Sequence, residues 1–529
     1  YESVTKPELI SEEPKFSIQI ETDEKNGTLT VSDNGIGMTK IELTENLGTI
    51  AKSGTSAFVK EASENEKDKN VSLIGQFGVG FYAAFMVSKK VEVISKKAGS
   101  NEAWKWTSDG LGNFTILNSE KNIRGTSVTL HLKKEDKKFL EKSHLTDIIK
   151  KYSDHIGVPI LIKGKQAEQD EEINSASALW TRQKSDISKD QYKEFYHHVG
   201  NSFDDPWLTV HSKVEGKIEY TLLLFIPSAK PFDLFDPARK HTVKLYVKKV
   251  FVTDEMPGLV PTYLRFLKGI VDSEDLNLNI SREVLQSSPL VSKIRKDIVK
   301  RIFKEIKKKA TKHPEEFLSF WKNFGAVVKE GLYEEPEMRD EIFNVAKFRT
   351  TDKSEWTTLD DYVSRKKESQ KEIFYITGEN EDTIIKSPQL EAFISNNIEV
   401  LLLTESIDNF WTNIITDFNG TKFKSVTQSS DELNSIIEDN SEENSEDNDK
   451  TDENNNSLLA LLKLNLKDQV KDVRISKRLV ESPVCLVADE NSMDMNVEKL
   501  LQQQGRLNEV SKKILEINPN HELLKVIAK

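Results

Sequence analysis

The chain has 529 residues, 37% hydrophobic and 31% charged, with a formal net charge of −12; this supports about three or four packed domains with solvated surfaces and excludes global disorder. The acid excess argues against a nucleic-acid binder, because affinity for a polyanion comes from Lys and Arg neutralising phosphates. The single Cys485 permits neither an internal disulfide nor a thiolate zinc cluster, no apolar run is long enough to span a bilayer, and no secretory leader is visible.

Residues 16–22 and 27–32 alternate apolar and polar side chains around Asn26-Gly27, which predicts a hairpin. Its second strand delivers Asp33. An ionised carboxylate only accepts hydrogen bonds, so it suits the exocyclic amine of adenine and disfavours guanine, which presents a carbonyl there. Gly35 and Gly37 then allow a tight turn beneath a base. Alone, this D-x-G-x-G pattern describes many glycine turns. A second cluster, Gly75-Gln76-Phe77-Gly78-Val79-Gly80, leads into an apolar helix start at 81–87, where amides and the helix dipole favour a phosphate. Asn46, Lys52, Ser53 and Thr55 lie between the clusters, and the polar stretch 61–70 reads as a hinged flap. Residues 91–95 and 127–132 read as strands, the second preceded by Arg124-Gly125-Thr126, whose threonine hydroxyl can bond a base or a bridging water.

The runs SDNGIGMTKIELTENLGTIAKSGT and LIGQFGVGFYAAFMV resemble the ATP pocket shared by the ninety-kilodalton heat-shock chaperones, DNA gyrase, sensor histidine kinases and MutL repair proteins, in the wording of the chaperone branch. The resemblance implies that Asp33 contacts adenine, that Gly37 and Met38 line the base, and that Asn46 lies near the sugar and α-phosphate. It implies that Lys52 and the loop of Gly75, Gln76, Phe77, Gly78, Val79, Gly80 and Phe81 meet the phosphates, and that Thr126 holds the adenine-side water. ATP and Mg2+ are the implied cofactors. The family carries its general-base Glu and a metal-ligating Asn on a helix expected upstream of Tyr1, so no metal ligand is assigned and hydrolysis by this chain is expected to be weak or absent.

Residues 164–177 read as a short polar linker, whose brevity, by the same resemblance, favours a bacterial or organellar form. Strands are expected at 218–226 and 243–252. Arg282 lies in a polar loop before the helix signal Ser288-Pro289, and a fixed guanidinium there can grip a terminal phosphate. The wording NLNISREVLQ resembles the family's catalytic loop, which implies that Arg282 binds the γ-phosphate and Gln286 assists. The next helix, 290–309, sets Leu290, Ile294, Ile298, Ile302 and Ile306 on one apolar stripe opposite a lysine-rich face. Helices are expected at 314–324 and 336–348, and buried parallel strands at 373–377 and 400–403. By resemblance, Phe410 and Asn413 are candidates for contacting unfolded clients.

Residues 438–457 are rich in Asp and Glu and hold no apolar side chain, so the insert 431–457 is expected to be disordered. Beyond it, 458–466 reads as a helix, 477–487 as a strand and 493–504 as an amphipathic helix. Its Met493, Met495, Leu500 and Leu501 form either an adaptable face or ordinary core. The family's dimerising bundle would be incomplete at Lys529, so weak dimerisation is expected.

The expected class is α/β (α+β). It comprises an ATPase α/β sandwich of the gyrase, histidine-kinase and MutL type over 1–163, a middle α/β domain over 178–430 and a partial C-terminal α/β domain over 458–529. The expected function is that of a cytoplasmic, ATP-dependent molecular chaperone, homodimeric in the complete protein. Its expected partners are unfolded clients and other chaperones, with no nucleic acid and no membrane. The alternatives are a kinase, which needs a phosphoacceptor histidine on a paired helix, and a DNA topoisomerase or repair ATPase.

Overall fold

The computed structural model describes residues 6–11, 13–48, 80–164, 169–239, 242–276, 288–352, 356–428, 449–489, 492–507 and 509–528. The chain divides into two compact units, Tyr1–Val260 with Arg265–Asp297, and Pro261–Leu264 with Ile298–Lys529.

The first unit opens with the expected hairpin, β1 (Ile18–Asp23) and β2 (Thr28–Asp33), paired antiparallel from Ile18↔Asp33 to Asp23↔Thr28. Its alternation sorts the faces. Ile20 and Leu29 enter a core with Leu130, Leu132, Leu145 and Ile149, the last two from the helix Lys142–Tyr152. On the other face Ser32 Oγ donates to Ser127 Oγ at 2.9 Å. The sheet continues through β3 (Ser88–Lys96), β4 (Ala103–Ser108), β5 (Phe114–Ser119), β6 (Gly125–Leu132), β7 (Ile160–Ile162) and β8 (Glu171–Glu172), in the order β5-β4-β3-β6-β2-β1-β7-β8. The edge strand β8 falls in the stretch read as a linker. Beside it, buried Asn174 accepts from Ile160 N at 2.7 Å and donates to Val158 O at 3.0 Å, tying that stretch to the sheet.

A second sheet holds β9 (Pro206–Val214), β10 (Tyr220–Pro227), β11 (Thr242–Val247), β12 (Val250–Thr253) and β13 (Lys268–Ser273), in the order β12-β11-β13-β10-β9. The single strand expected over 243–252 is a hairpin instead. Lys248 and Lys249 form its turn in the left-handed region, with φ of 52° and 66°. No Gly, Asn or Pro marks that turn, so nothing local announced it.

Against this sheet, Trp180 Nε1 donates to Asp272 Oδ2 at 2.7 Å and the Lys249 amide donates to Asp272 Oδ1 at 3.1 Å. Burial pushes the Asp272 carboxyl up to about 6, against the hydrogen bonds that lower it. An unfolded Asp releases its proton near pH 4, so between about pH 4 and pH 6 the folded chain holds a proton the unfolded chain has lost, and stability falls as pH rises through that window. The difference corresponds to about 3 kcal/mol. The unaltered chain should therefore lose about 3 kcal/mol relative to Asp272→Asn between about pH 4 and pH 6.5. Urea denaturation across that range measures this, and a difference that ignores pH would remove the buried proton.

In the second unit the helix Pro314–Glu334 runs well past Phe324, burying Phe317, Phe320, Trp321 and Phe324. The helix expected at 336–348 is shorter: a turn at Pro336–Met338 and a helix at Arg339–Phe343. Next come β14 (Arg349–Thr350), β15 (Glu372–Thr377), β16 (Leu401–Leu403), β17 (Asp417–Phe418) and β18 (Thr421–Ser425), in the order β14-β16-β15-β18-β17. As expected, β15 and β16 are parallel and buried, and β18 is parallel to β15. In the long helix Pro289–Lys312 the buried stripe includes Ile294, Ile298, Ile302 and Ile306, with Val291 rather than Leu290 at its start.

The helix Asp449–Leu466 begins inside the insert expected to be disordered; residues 431–448 lie outside the described residues. A last sheet holds β19 (Asp472–Ile475), β20 (Val484–Val487) and β21 (Ile514–Ile517), in the order β19-β21-β20. Of the strand expected over 477–487 only β20 forms. Upstream of it Arg478 is buried, donates to Val426 O at 2.6 Å and pairs with Glu516 at 2.9 Å, which holds that stretch away from the ladder. Burial pushes the Cys485 thiol on β20 up to about 12, so it is inert as a nucleophile. Among the described residues no helix is long and apolar enough to cross a membrane.

Candidate functional site

The candidate site gathers where β2 and β3 end and β6 begins. Asp33 Oδ1 accepts from the Gly35 amide at 2.9 Å and the Thr126 amide at 3.3 Å, which fixes the exposed carboxylate; its second oxygen has no hydrogen-bond partner among the described residues. The chain then turns under it. Gly37 has φ +66°, and a Cβ there would lie 1.9 Å from Lys96 O, so only glycine lets the turn touch the end of β3. Ala98 N donates to Ile36 O at 2.7 Å and locks that contact.

Ser95 links these parts. Its hydroxyl accepts from the Met38 amide at 2.9 Å and pairs with Thr126 Oγ1 at 2.8 Å. Sequence reasoning missed Ser95, although it ends an alternating strand, because its partner Thr126 comes opposite only through the β3–β6 register.

After Met38, Thr39 and Glu42 form a capping box that starts the helix Lys40–Leu47. Leu43 is its buried anchor, in a cluster with Val91, Val93 and Trp106 against which Met38, Leu47 and Phe81 pack. Asn46 is half-buried, its Nδ2 4.0 Å from Met38 Sδ. Gly80 and Phe81 open a tight turn, Gly80–Ala83, and Phe81 meets Trp106 edge-on at 5.6 Å. Tyr82 OH donates to Leu47 O at 3.2 Å, setting this turn beside the end of the Asn46 helix. The apolar helix expected from 81 is short, only Ala84–Val87, because β3 begins at Ser88 and takes up the chain.

Asp33, Gly37, Met38 and Thr126 thus form one cluster, with Asn46, Gly80 and Phe81 on an adjoining wall. Lys52, Gly75, Gln76, Phe77, Gly78, Val79, Arg282, Gln286 and the stretch 61–70 lie outside the described residues. In the second unit Phe410 is half-buried and meets Tyr333 edge-on at 6.1 Å, while Asn413 is exposed and donates to Asn409 O. Among the described residues no group of three or more His, Cys, Asp or Glu is placed to hold a metal ion.

The cluster offers one open acceptor beside a hydroxyl pair, over an apolar wall. That is the complement of a flat heterocycle bearing an amine. Residues 13–138 match the family model described as histidine kinase-, DNA gyrase B-, and HSP90-like ATPase. Residues 163–529 match the model described as Hsp90 protein. This chain belongs to the Hsp90 family.

Similar proteins are the chaperone protein HtpG of Roseobacter denitrificans, 48% identical over 528 residues, covering 100% of this chain and 84% of that protein. The protein of the same name from Paramagnetospirillum magneticum is 49% identical over 529 residues, with 100% and 84% covered. That from Orientia tsutsugamushi is 47% identical over 535 residues, with 100% and 85% covered. Membership of the Hsp90 family places the chain in the class of ATP-dependent chaperones; the kinase and DNA topoisomerase or repair alternatives are not favoured.

Proposed function

We propose that this chain binds ATP at Asp33, and that hydrolysis to ADP and phosphate, in a form of the protein that carries the general-base Glu, drives a cycle that clamps and remodels unfolded or partly folded polypeptides. The observation that carries the reading is the Asp33 carboxylate: two backbone amides hold one oxygen, and the other, with no hydrogen-bond partner among the described residues, is the one we assign to the adenine amine. The Ser95–Thr126 hydroxyl pair serves the base or a water beside it, and Met38 lines its face. Asn46 lies toward the sugar and α-phosphate, and Lys52 with the 75–81 loop meets the phosphates. Mg2+ would enter with the triphosphate, since it prefers phosphate oxygens and waters and needs few protein ligands. Calorimetric titration should show ATP bound at least about tenfold more tightly than GTP, whose carbonyl would face the carboxylate. Equal affinities would sink the assignment.

Hydrolysis is assigned to the Arg282 loop, with Arg282 stabilising charge on the γ-phosphate and Gln286 assisting. In a form of the protein that carries the general-base Glu, Arg282→Ala is expected to change ATP affinity less than about twofold and to slow single-turnover hydrolysis by about 100-fold. Unchanged turnover would take that role from Arg282. The working form we infer is a homodimer in a bacterial cytoplasm, acting on unfolded clients alongside other chaperones. Phe410 and Asn413 are proposed among the client contacts. The family and its named bacterial members support this reading.

A further inference from the structure

A concavity of about 530 Å³ lies within the first unit, lined by residues at the end of the helix Lys142–Tyr152 and just after it, by the stretch 173–179 and by the helix Lys189–Gly200. Hydrogen bonds pin its frame. The Asp154 carboxylate accepts from the Ser175 amide at 3.0 Å and from Ser175 Oγ at 3.1 Å, and the Ala176 amide donates to Asp154 O at 3.1 Å. They hold Ala176 at φ 47°, a left-handed conformation that an L side chain rarely adopts. A frame fixed in advance loses little ordering entropy when a ligand enters.

His155 stands in this frame, 8% exposed, and its ring meets Trp180 edge-on at 4.6 Å. Its Nδ1 lies 3.1 Å from Ser177 O, which can only accept, so Nδ1 carries the proton. Burial pushes the imidazole pKa down, which leaves the ring neutral and Nε2 with a bare lone pair. No donor reaches that lone pair among the described residues; the group beside it is Asp154 Oδ2 at 3.8 Å, a second acceptor. Unlike Trp106 Nε1 and Arg124 Nε, Nε2 is not closed off from solvent, and His155 and Asp154 both line the concavity. Two neighbouring acceptors call for one group with several N–H donors, and an ammonium is such a group.

The rest of the lining decides what carries the ammonium. Lys150 and Arg182 line the concavity, both exposed and without a carboxylate partner among the described residues. Glu194, exposed on the helix Lys189–Gly200, is the second acid beside Asp154. A simple cation would meet Lys150 and Arg182, and a simple anion would meet Asp154 and Glu194. A compound that carries both charges satisfies both pairs. Phe195 and Leu179 add apolar surface for its side chain.

We propose that this concavity binds a free α-amino acid with an apolar side chain. The ammonium donates to His155 Nε2 and Asp154 Oδ2, the carboxylate lies toward Lys150 and Arg182, and the side chain rests on Leu179 and Phe195. The proposal does not rest on the ATP reading.

The test is calorimetric titration of the whole chain with L-phenylalanine, with N-acetyl-L-phenylalanine, which lacks the ammonium, and with phenethylamine, which lacks the carboxylate, each with and without ATP. One equivalent of phenylalanine should bind, and ATP should not displace it. The N-acetyl compound should bind at least about tenfold more weakly, and phenethylamine about threefold more weakly because the two cations are exposed. His155→Asn, whose amide can still donate to Ser177 O, and Asp154→Asn should each weaken phenylalanine by at least about fivefold. Lys150→Gln with Arg182→Gln should erase its advantage over phenethylamine. Absence of saturable heat would mean that water alone serves the two acceptors, and would overturn the proposal. So would displacement by ATP, equal binding of the N-acetyl compound, or an unchanged affinity for phenylalanine in both single variants. Circular dichroism checks that each variant is folded, and the comparison of the three compounds on the unaltered chain decides the proposal even if one is not.

Discussion

Replacing Asp33 with Asn should weaken ATP binding by at least about 100-fold while leaving the first sheet folded. Asp33 Oδ1 accepts two backbone amides, from Gly35 and Thr126, and an Asn oxygen can keep both. The amide nitrogen then faces the base, where it opposes the adenine amine donor to donor. Losing a hydrogen bond to a charged acceptor and leaving a donor unpaired costs about 3 kcal/mol together. Because the backbone contacts survive, circular dichroism should be unchanged, and calorimetry isolates the effect on binding. An affinity within about threefold of the unaltered chain would move adenine away from this carboxylate.

The second large effect is on stability. Asp408, 0% exposed, accepts from Lys329 Nζ at 2.6 Å and Trp411 Nε1 at 2.7 Å through Oδ1, and from the Glu405 amide at 3.1 Å through Oδ2. Lys329 is 3% exposed, also pairs with Glu405, and stands 5.5 Å from the Phe348 ring. Burial pushes its ammonium pKa down, and Asp408 opposes that shift. Asp408→Ala would leave a buried cation with only the partly exposed Glu405 and an indole N–H without an acceptor, a loss of about 3–5 kcal/mol. The second unit should then melt roughly 10 °C lower. Adding Lys329→Met removes the stranded charge and should recover much of the loss, because an apolar side chain of similar volume needs no partner. Thermal unfolding followed by Trp fluorescence reads both variants, and a loss under about 1 kcal/mol for Asp408→Ala would show that the pair is hydrated. Phe410 lies on the same short helix, Asp408–Trp411, so the carboxylate that stabilises the unit also sets where that ring stands.

Local pattern accounts for what was legible in advance. The alternation across residues 16–32 placed the hairpin and delivered Asp33 to its end, and the runs at 373–377 and 400–403 read as buried parallel strands. Other elements were misread where a distant partner overrode the local signal. Arg478 is held off the ladder by Val426 O and Glu516, and the Lys248-Lys249 turn shows no turn residue. The strands β4, β5, β19 and β21 were not anticipated either.

The order of the residues alone determined that a carboxylate follows a strand and that glycines follow it, since both are properties of near neighbours in the chain. Only the tertiary structure decided why Gly37 must lack a side chain, because the obstructing Lys96 oxygen arrives on another strand. It also decided that Ser95 would couple Met38 to Thr126, and that Asp272 and Lys329 would lose their water. Periodicity along a chain reports which face is apolar, whereas register and desolvation exist only once remote segments have met.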